Sequence, residues 1–432
     1  MARLLLGAGV ALTGLGSASA ATPANEARRL MNESAATLER HDPAGALALV
    51  EKAVALRPDH PTYLVTLARL QAMTGHPRDA VAALDRLARM GLSVSVDDDR
   101  AFAALRDSPD FQDVARRLRV NRGPLGAGRV LFELPAMTGI IEGITHRAAT
   151  GDYFLGDVRH RCVWQRRPDG SARRFSPAEA GLFGVFGLAV DEARGSLWAA
   201  TTAVEEMEGF RPAERGRAAL VEFALADGSV RRAAALPTDG ANHVLGDLTV
   251  AADGTVFATD SLAPVIWRLP PHAAQPERWL ESEEFHSLQG IAVTRDGRTL
   301  LVSDYGNGLW AIDRSTRAVR HLAAPPDTTL MGLDGIALAS DGCIVGVQNG
   351  TDPRRVVRLW IDLGPGRVTR LAVLERGHPA MTDPTLGTLV EGRFVFVGKA
   401  GWDRFAARGA EAGQPRAVPI LASDFSETEP SP

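Results

Sequence analysis

The 432-residue chain carries 48 basic against 52 acidic side chains, a formal charge of −4, with 45% hydrophobic and 6% aromatic residues. That is length for two or three domains, and a charged fraction of 23% with only two cysteines excludes wholesale disorder and a disulfide scaffold. The near-neutral balance gives no general attraction to nucleic acid or an anionic membrane. Lys52 and Lys399 are the only lysines, so the arginine usage reads as compositional bias.

The chain opens on Arg3, an apolar run over 4–16 and small residues ending Ala18-Ser19-Ala20. That order predicts a secretory signal peptide over 1–20, cut after Ala20, with an uncleaved N-terminal anchor as the alternative, and hence an exported protein, periplasmic or secreted. The run is too short for the ~20 residues of a membrane-spanning helix, and no later stretch reaches that length. Cys162 and Cys343 show no framework spacing.

From 24 to 120 the pattern is Ala- and Leu-rich with helical period, broken at Asp42-Pro43, Arg57-Pro58, Gly75-His76-Pro77 and Gly91. It predicts helical hairpins. Ala46, Val50, Ala53 and Pro58, then Leu64, Leu67, Ala68, Gly75, Ala80 and Leu84, stand at the small, large and proline positions of a repeat. The segment resembles the tetratricopeptide family, which implies either a protein-binding array or a packing appendage. Residues 121–128, with three glycines and Pro124, read as a linker.

Beyond Arg129 the period shortens to strand length with Asp-Gly turns. Apolar starts at Leu248, Ile291 and Ile336 are each followed five and six residues later by Asp and Gly. Copies with longer turns start at Ile144 and Leu188, and a shorter one at Thr388. The spacing suits the ~40–50 residues of a four-stranded blade. The fold expected is therefore mainly β: a six-bladed β-propeller over 129–405 behind an N-terminal α-helical, tetratricopeptide-like domain, with a tail over 406–432. The strand 129–134 is placed to close the sixth blade, and an insertion around 205–216 absorbs the long second interval. A β-sandwich is the rival architecture.

Residues just before each repeated start should converge on the propeller axis: Glu142, Phe186, Gly246 with Asp247 beside it, Gln289, Asp334 and Leu386. Two carboxylates and an amide aimed at one axis are oxygen ligands of the kind calcium prefers. Without a cation Glu142 and Asp334 repel and one protonates. The alternative is a channel filled by water and hydrogen bonds. His243, three residues before a channel position, is a further candidate, and Asp304, Asn307 and Asn349 end second strands. Arg166, Arg167, Arg173 and Arg174 straddle a hairpin tip and read as a solvated face, without the interleaved aromatics of a nucleic-acid site. Trp164, Trp198, Trp267, Trp310 and Trp360 read as packing between blades. No GxSxG, HExxH, phosphate loop or CxxC pair occurs.

Glu142-Gly143-Ile144, Gln289-Gly290-Ile291 and Asp334-Gly335-Ile336, with Ser303-Asp304-Tyr305 and Gln348-Asn349-Gly350, make residues 130–405 resemble the gluconolactonase/regucalcin (senescence marker protein) propellers, relatives of the paraoxonases and strictosidine synthase-like proteins. The resemblance implies a divalent metal, often calcium with zinc or manganese as alternatives, held by a Glu, an Asn and an Asp, the Asp also acting as base toward a lactone. Glu142 and Asp334 match; Gln289 replaces the Asn. Gly246 stands where the family has a blade 3 Asn, with Asp247, Asn242 and His243 nearby to compensate. Phe186 lies near the place of the paraoxonase-type histidine. The metal set is then Glu142, Gln289, Asp334 and Asp247, the catalytic residue Asp334, and the substrate contacts Asn242, His243, Asp304 and Asn349. The function implied is metal-dependent hydrolysis of a lactone or similar ester, the alternative a non-catalytic propeller that binds a small molecule or protein with the helical repeats as adaptor.

Overall fold

The computed structural model describes residues 22–135, 139–406 and 416–425, so the signal-peptide reading of 1–20 lies outside them. The chain forms a helical unit and a propeller unit.

The helical unit contains α1 (Pro23–Glu39), α2 (Pro43–Leu56), α3 (Pro61–Met73), α4 (Pro77–Arg89) and α5 (Pro109–Arg122). Each starts on proline, whose fixed φ suits a first helical residue and whose missing N–H would have had no helical acceptor. Thr22, Asp42 and Ser108 cap three of them by accepting backbone N–H bonds. The repeat positions Ala46, Val50, Ala53, Leu64, Ala68, Ala80 and Leu84 are all fully buried. Small side chains there let α1 pack on α2 and α3 on α4 at close range, and each buried Leu or Val contributes about 1.5–3 kcal/mol. None of the described helices is long and apolar enough to cross a membrane.

The propeller is six four-stranded antiparallel sheets. Their innermost strands are Ile141–Arg147, Gly184–Asp191, Leu245–Val250, Leu288–Val293, Leu333–Leu338 and Gly387–Val390. Blade 6 runs from Gly387–Val390 through Arg393–Val397 and Val418–Asp424 to Arg129–Leu134. The first propeller strand is thus the outer strand of the last blade, joining the two ends and removing an exposed edge. Two boundaries differ from expectation. Residues 418–424 are the third strand of blade 6 and not tail, because blade 6 needs a strand between 393–397 and 129–134. Part of the 121–128 linker is also structured: α5 reaches Arg122, Leu125 bridges Arg376, and Glu375 accepts the Gly128 N–H at 2.7 Å. The expected insertion joins the second and third strands of blade 2 and carries a short 3-10 turn, Pro212–Glu214. Cys162 and Cys343 are both free and buried.

Two devices recur from blade to blade. In blades 1 to 5 the pairing of the innermost strand slips by one residue at the same place, between Ile141 and Ile144, Val185 and Leu188, Leu245 and Leu248, Leu288 and Ile291, and Leu333 and Ile336. Such a bulge bends the strand and re-aims the residues within it. The other device is a buried Asp at the end of the second strand. Asp157, Asp260 and Asp304 accept two, three and four backbone N–H bonds from the turns around them and the indole N–H of Trp164, Trp267 and Trp310 in turn.

Candidate functional site

The five bulges contain Glu142-Gly143, Phe186-Gly187, Gly246-Asp247, Gln289-Gly290 and Asp334-Gly335, the positions that spacing alone aims at the axis. Inner strands approach so closely there that a Cβ on Gly143 would lie 2.1 Å from the Phe186 carbonyl oxygen, and one on Gly187 2.6 Å from the Asp247 Cα. Blade 3 alone among these five puts a carboxylate, Asp247, where the others have glycine.

Glu142 and Asp334 are both 2% exposed. The Trp402 indole N–H donates to Glu142 Oε2 at 2.5 Å, and the Asn349 amide donates to Asp334 Oδ2 at 2.5 Å. Burial, then the Asp334 charge, pushes the Glu142 carboxyl well above its ordinary range, against the Trp402 bond. Burial likewise raises Asp334, with Asn349 opposing and Asp383 adding to it. Asp383 is itself raised by burial, and its Oδ2 accepts the Trp402 backbone N–H at 3.2 Å. Burial and then the Asp334 charge raise the Tyr305 phenol, which keeps its proton. Phe186 closes the blade 2 position, its ring 6.2 Å from that of Trp402.

Asp247 lines a cavity of about 250 Å³ on the axis, walled by Ile144, Leu188, Leu248, Ile291 and Ile336. It touches that space yet has protein on its other sides. This enclosure raises its carboxyl to about 8, against bonds from the Leu248 and Ile291 N–H groups and with the Asp334 charge.

Gln289 turns into the seam between blades 3 and 4, its amide donating to Ser287 Oγ at 3.0 Å and its carbonyl accepting from Ser261 Oγ at 3.3 Å. A Cβ on Gly246 would lie 2.6 Å from Ser261 Oγ, so the bare glycine leaves room for the hydroxyl that bonds Gln289. Among the described residues no three His, Cys, Asp or Glu side chains form a ready metal cluster. Oxygen donors are nonetheless available beside Asp334, because Asn349 Oδ1 is buried with no hydrogen-bond partner among the described residues. The set that suits a hard cation is therefore Glu142, Asp334 and the Asn349 carbonyl, in place of a set using Gln289.

Two expected substrate contacts are committed within their own blades. Asp304 is fully buried and accepts four backbone N–H bonds, from His286, Ser287, Gly306 and Asn307, leaving it no role at the axis. Both ring nitrogens of His243 face carboxylates, Nδ1 at 2.6 Å from Asp260 and Nε2 at 3.0 Å from Asp239. Asn242 beside it is exposed, on the loop before blade 3. Sequence reasoning missed Asp383, Trp402 and Tyr305. The first two lie in connections outside the repeat, where spacing says nothing about direction. Tyr305 directly follows a strand-ending Asp, and its position was the one available signal.

The description Tetratricopeptide repeat matches residues 37–91. No curated protein matches the chain in sequence. Among solved structures it is similar to a gluconolactonase from Xanthomonas campestris, 19% identical over 68% of this chain and 88% of that one, with a TM-score of 0.45. A PQQ-bound aldose sugar dehydrogenase from Streptomyces coelicolor is 13% identical over 70% of this chain and 100% of that one, TM-score 0.47. Virginiamycin B lyase from Staphylococcus aureus is 13% identical over 68% and 99%, TM-score 0.43.

Proposed function

We propose that the propeller hydrolyses lactones or similar esters at the axial carboxylates with the aid of a divalent cation, calcium before zinc or manganese, and that the chain acts after export. The observation that carries this reading is the meeting of Glu142 and Asp334, from blades 1 and 5, in one buried cluster, with no cationic side chain bonded to either among the described residues. Glu142, Asp334 and Asn349 Oδ1 would hold the cation, which when bound supplies Lewis-acid polarisation of the substrate carbonyl. Asp334 is the general base: it takes the proton of the attacking water as the C–O bond forms and returns it to the departing alkoxide oxygen. The Asn349 amide fixes the Asp334 carboxylate, and Trp402 fixes Glu142. A lactone or ester suits this site better than an amide, whose leaving group demands a stronger acid.

The test is turnover of a lactone and ester panel by the chain lacking residues 1–20, with calcium, zinc or manganese and with EDTA. Cation-dependent hydrolysis abolished by EDTA and lowered at least ~100-fold by Asp334→Asn is expected. No turnover with any cation sinks the reading. A non-catalytic propeller with an adaptor array is the second reading, favoured by the tetratricopeptide match and by Gln289 and Gly246. It expects protein partners that deletion of residues 21–120 releases.

A further inference from the structure

Outside the axis, an open pocket of about 380 Å³ lies where the turn after the second strand of blade 1 meets the blade 1 to blade 2 connection and the blade 2 insertion. His160, Arg161 and Arg174 supply its charge, with Glu208 opposite; Gly181 and Leu182 leave room beside them. Most arginines in this chain that have a bonded partner lie against a carboxylate, but neither Arg161 nor Arg174 does so among the described residues. Both are instead anchored through Nε on backbone carbonyls: Arg161 on Leu182 O at 2.6 Å and Arg174 on Ser176 O at 3.3 Å. Arg161 Nη1 reaches only the Glu208 carbonyl, at 3.4 Å. Anchoring at Nε holds the guanidinium planes while leaving terminal N–H groups for another acceptor, the geometry that suits a two-oxygen anion.

Two details sharpen the arrangement. Arg161 has φ +56°, the left-handed region that an unbranched non-glycine residue adopts at a cost of about 1–2 kcal/mol, and its Nε bond to Leu182 is made from that conformation. His160 Nδ1 lies 2.9 Å from the buried Asp157 Oδ2, which fixes the ring with Nε2 on the far side, 3.6 Å from Glu208 Oε1. The Glu208 carboxylate thus faces His160 and, at 3.7 Å, Arg159, while only its backbone carbonyl meets Arg161.

We infer that this pocket binds the oxyanion end of a small organic anion, a carboxylate or a phosphate, between Arg161, Arg174 and His160. The site is independent of the axial carboxylates. Its test is calorimetric titration of the protein with inorganic phosphate and, separately, with succinate, at fixed ionic strength set by chloride. Saturable binding of one or both is expected, phosphate alone marking a phosphate ligand and succinate alone a carboxylate ligand. Arg161→Asn, which tolerates left-handed backbone, and Arg174→Gln should each weaken it roughly tenfold, and Glu208→Gln should tighten it. Absence of saturable binding to both probes, or binding that the two arginine variants leave unchanged, overturns the assignment.

Discussion

Asp247, Glu142 and Asp334 all keep their protons to higher pH than free carboxyls do, burial being the first cause in each. A carboxyl that binds its proton more tightly when folded contributes stability below its ordinary range, and that contribution is lost as pH rises through the folded value. For Asp247 that value is about 8. The cation-free protein is therefore expected to melt at falling temperature as pH rises from the ordinary carboxyl range toward ~8, by several degrees, since ~1 kcal/mol moves the midpoint of a domain this size by ~2–4 °C or less. Glu142→Gln should flatten the fall, and scanning calorimetry across that window checks it; a midpoint that rises instead contradicts it. Asn349 has two parts in this account: its Oδ1 is offered to the cation, and its amide N–H acts on Asp334. Its N–H holds the Asp334 pKa down, and Asn349→Leu should move the acid limb of the hydrolysis pH profile upward while lowering kcat about tenfold. An unmoved limb would leave the Asn349 N–H no part in setting the Asp334 proton.

Between residues and the ring stand the bulges and the Asp–Trp clamps. Repeated Asp-Gly turns made the blades legible, because a two-residue turn between alternating apolar runs has few other uses. The channel positions were legible too, as the residues before each repeat. What spacing could not show was direction inside a bulge: Gln289 stands in phase with Asp334 yet turns to Ser261 and Ser287. Asp304 was misread for a related reason, since an Asp at a strand end looks the same whether it faces a ligand or caps its own turn. A Trp six or seven residues further on, as at Asp157 and Trp164 and at Asp260 and Trp267, was the signal that separates the two. Asp304→Ala strands four backbone N–H groups and should cost about 3 kcal/mol or more in urea unfolding. Folded Asp304→Ala protein should retain hydrolysis per molecule, the reverse of Asp334→Asn.

At the scale of the molecule, closure of the ring by residues 129–134 converts six separately weak sheets into one structure with a single axis, and only then do side chains from blades 1 and 5 share a site. Near-neutral total charge hides this, because Glu142, Asp247, Asp334 and Asp383 gather around that axis while many arginines pair elsewhere with carboxylates of their own, as Arg29, Arg116, Arg194 and Arg278 do. Asp383 and Trp402 join the cluster from connections that no repeat phase could place. The proposed hydrolysis turns on the buried axial oxygens holding a cation. Calorimetric titration of calcium into EDTA-treated, desalted protein measures this directly. One saturable site per chain is expected, weakened at least ~10-fold by Glu142→Gln and by Asp334→Asn; no saturable uptake, or uptake that both variants leave unchanged, would contradict it.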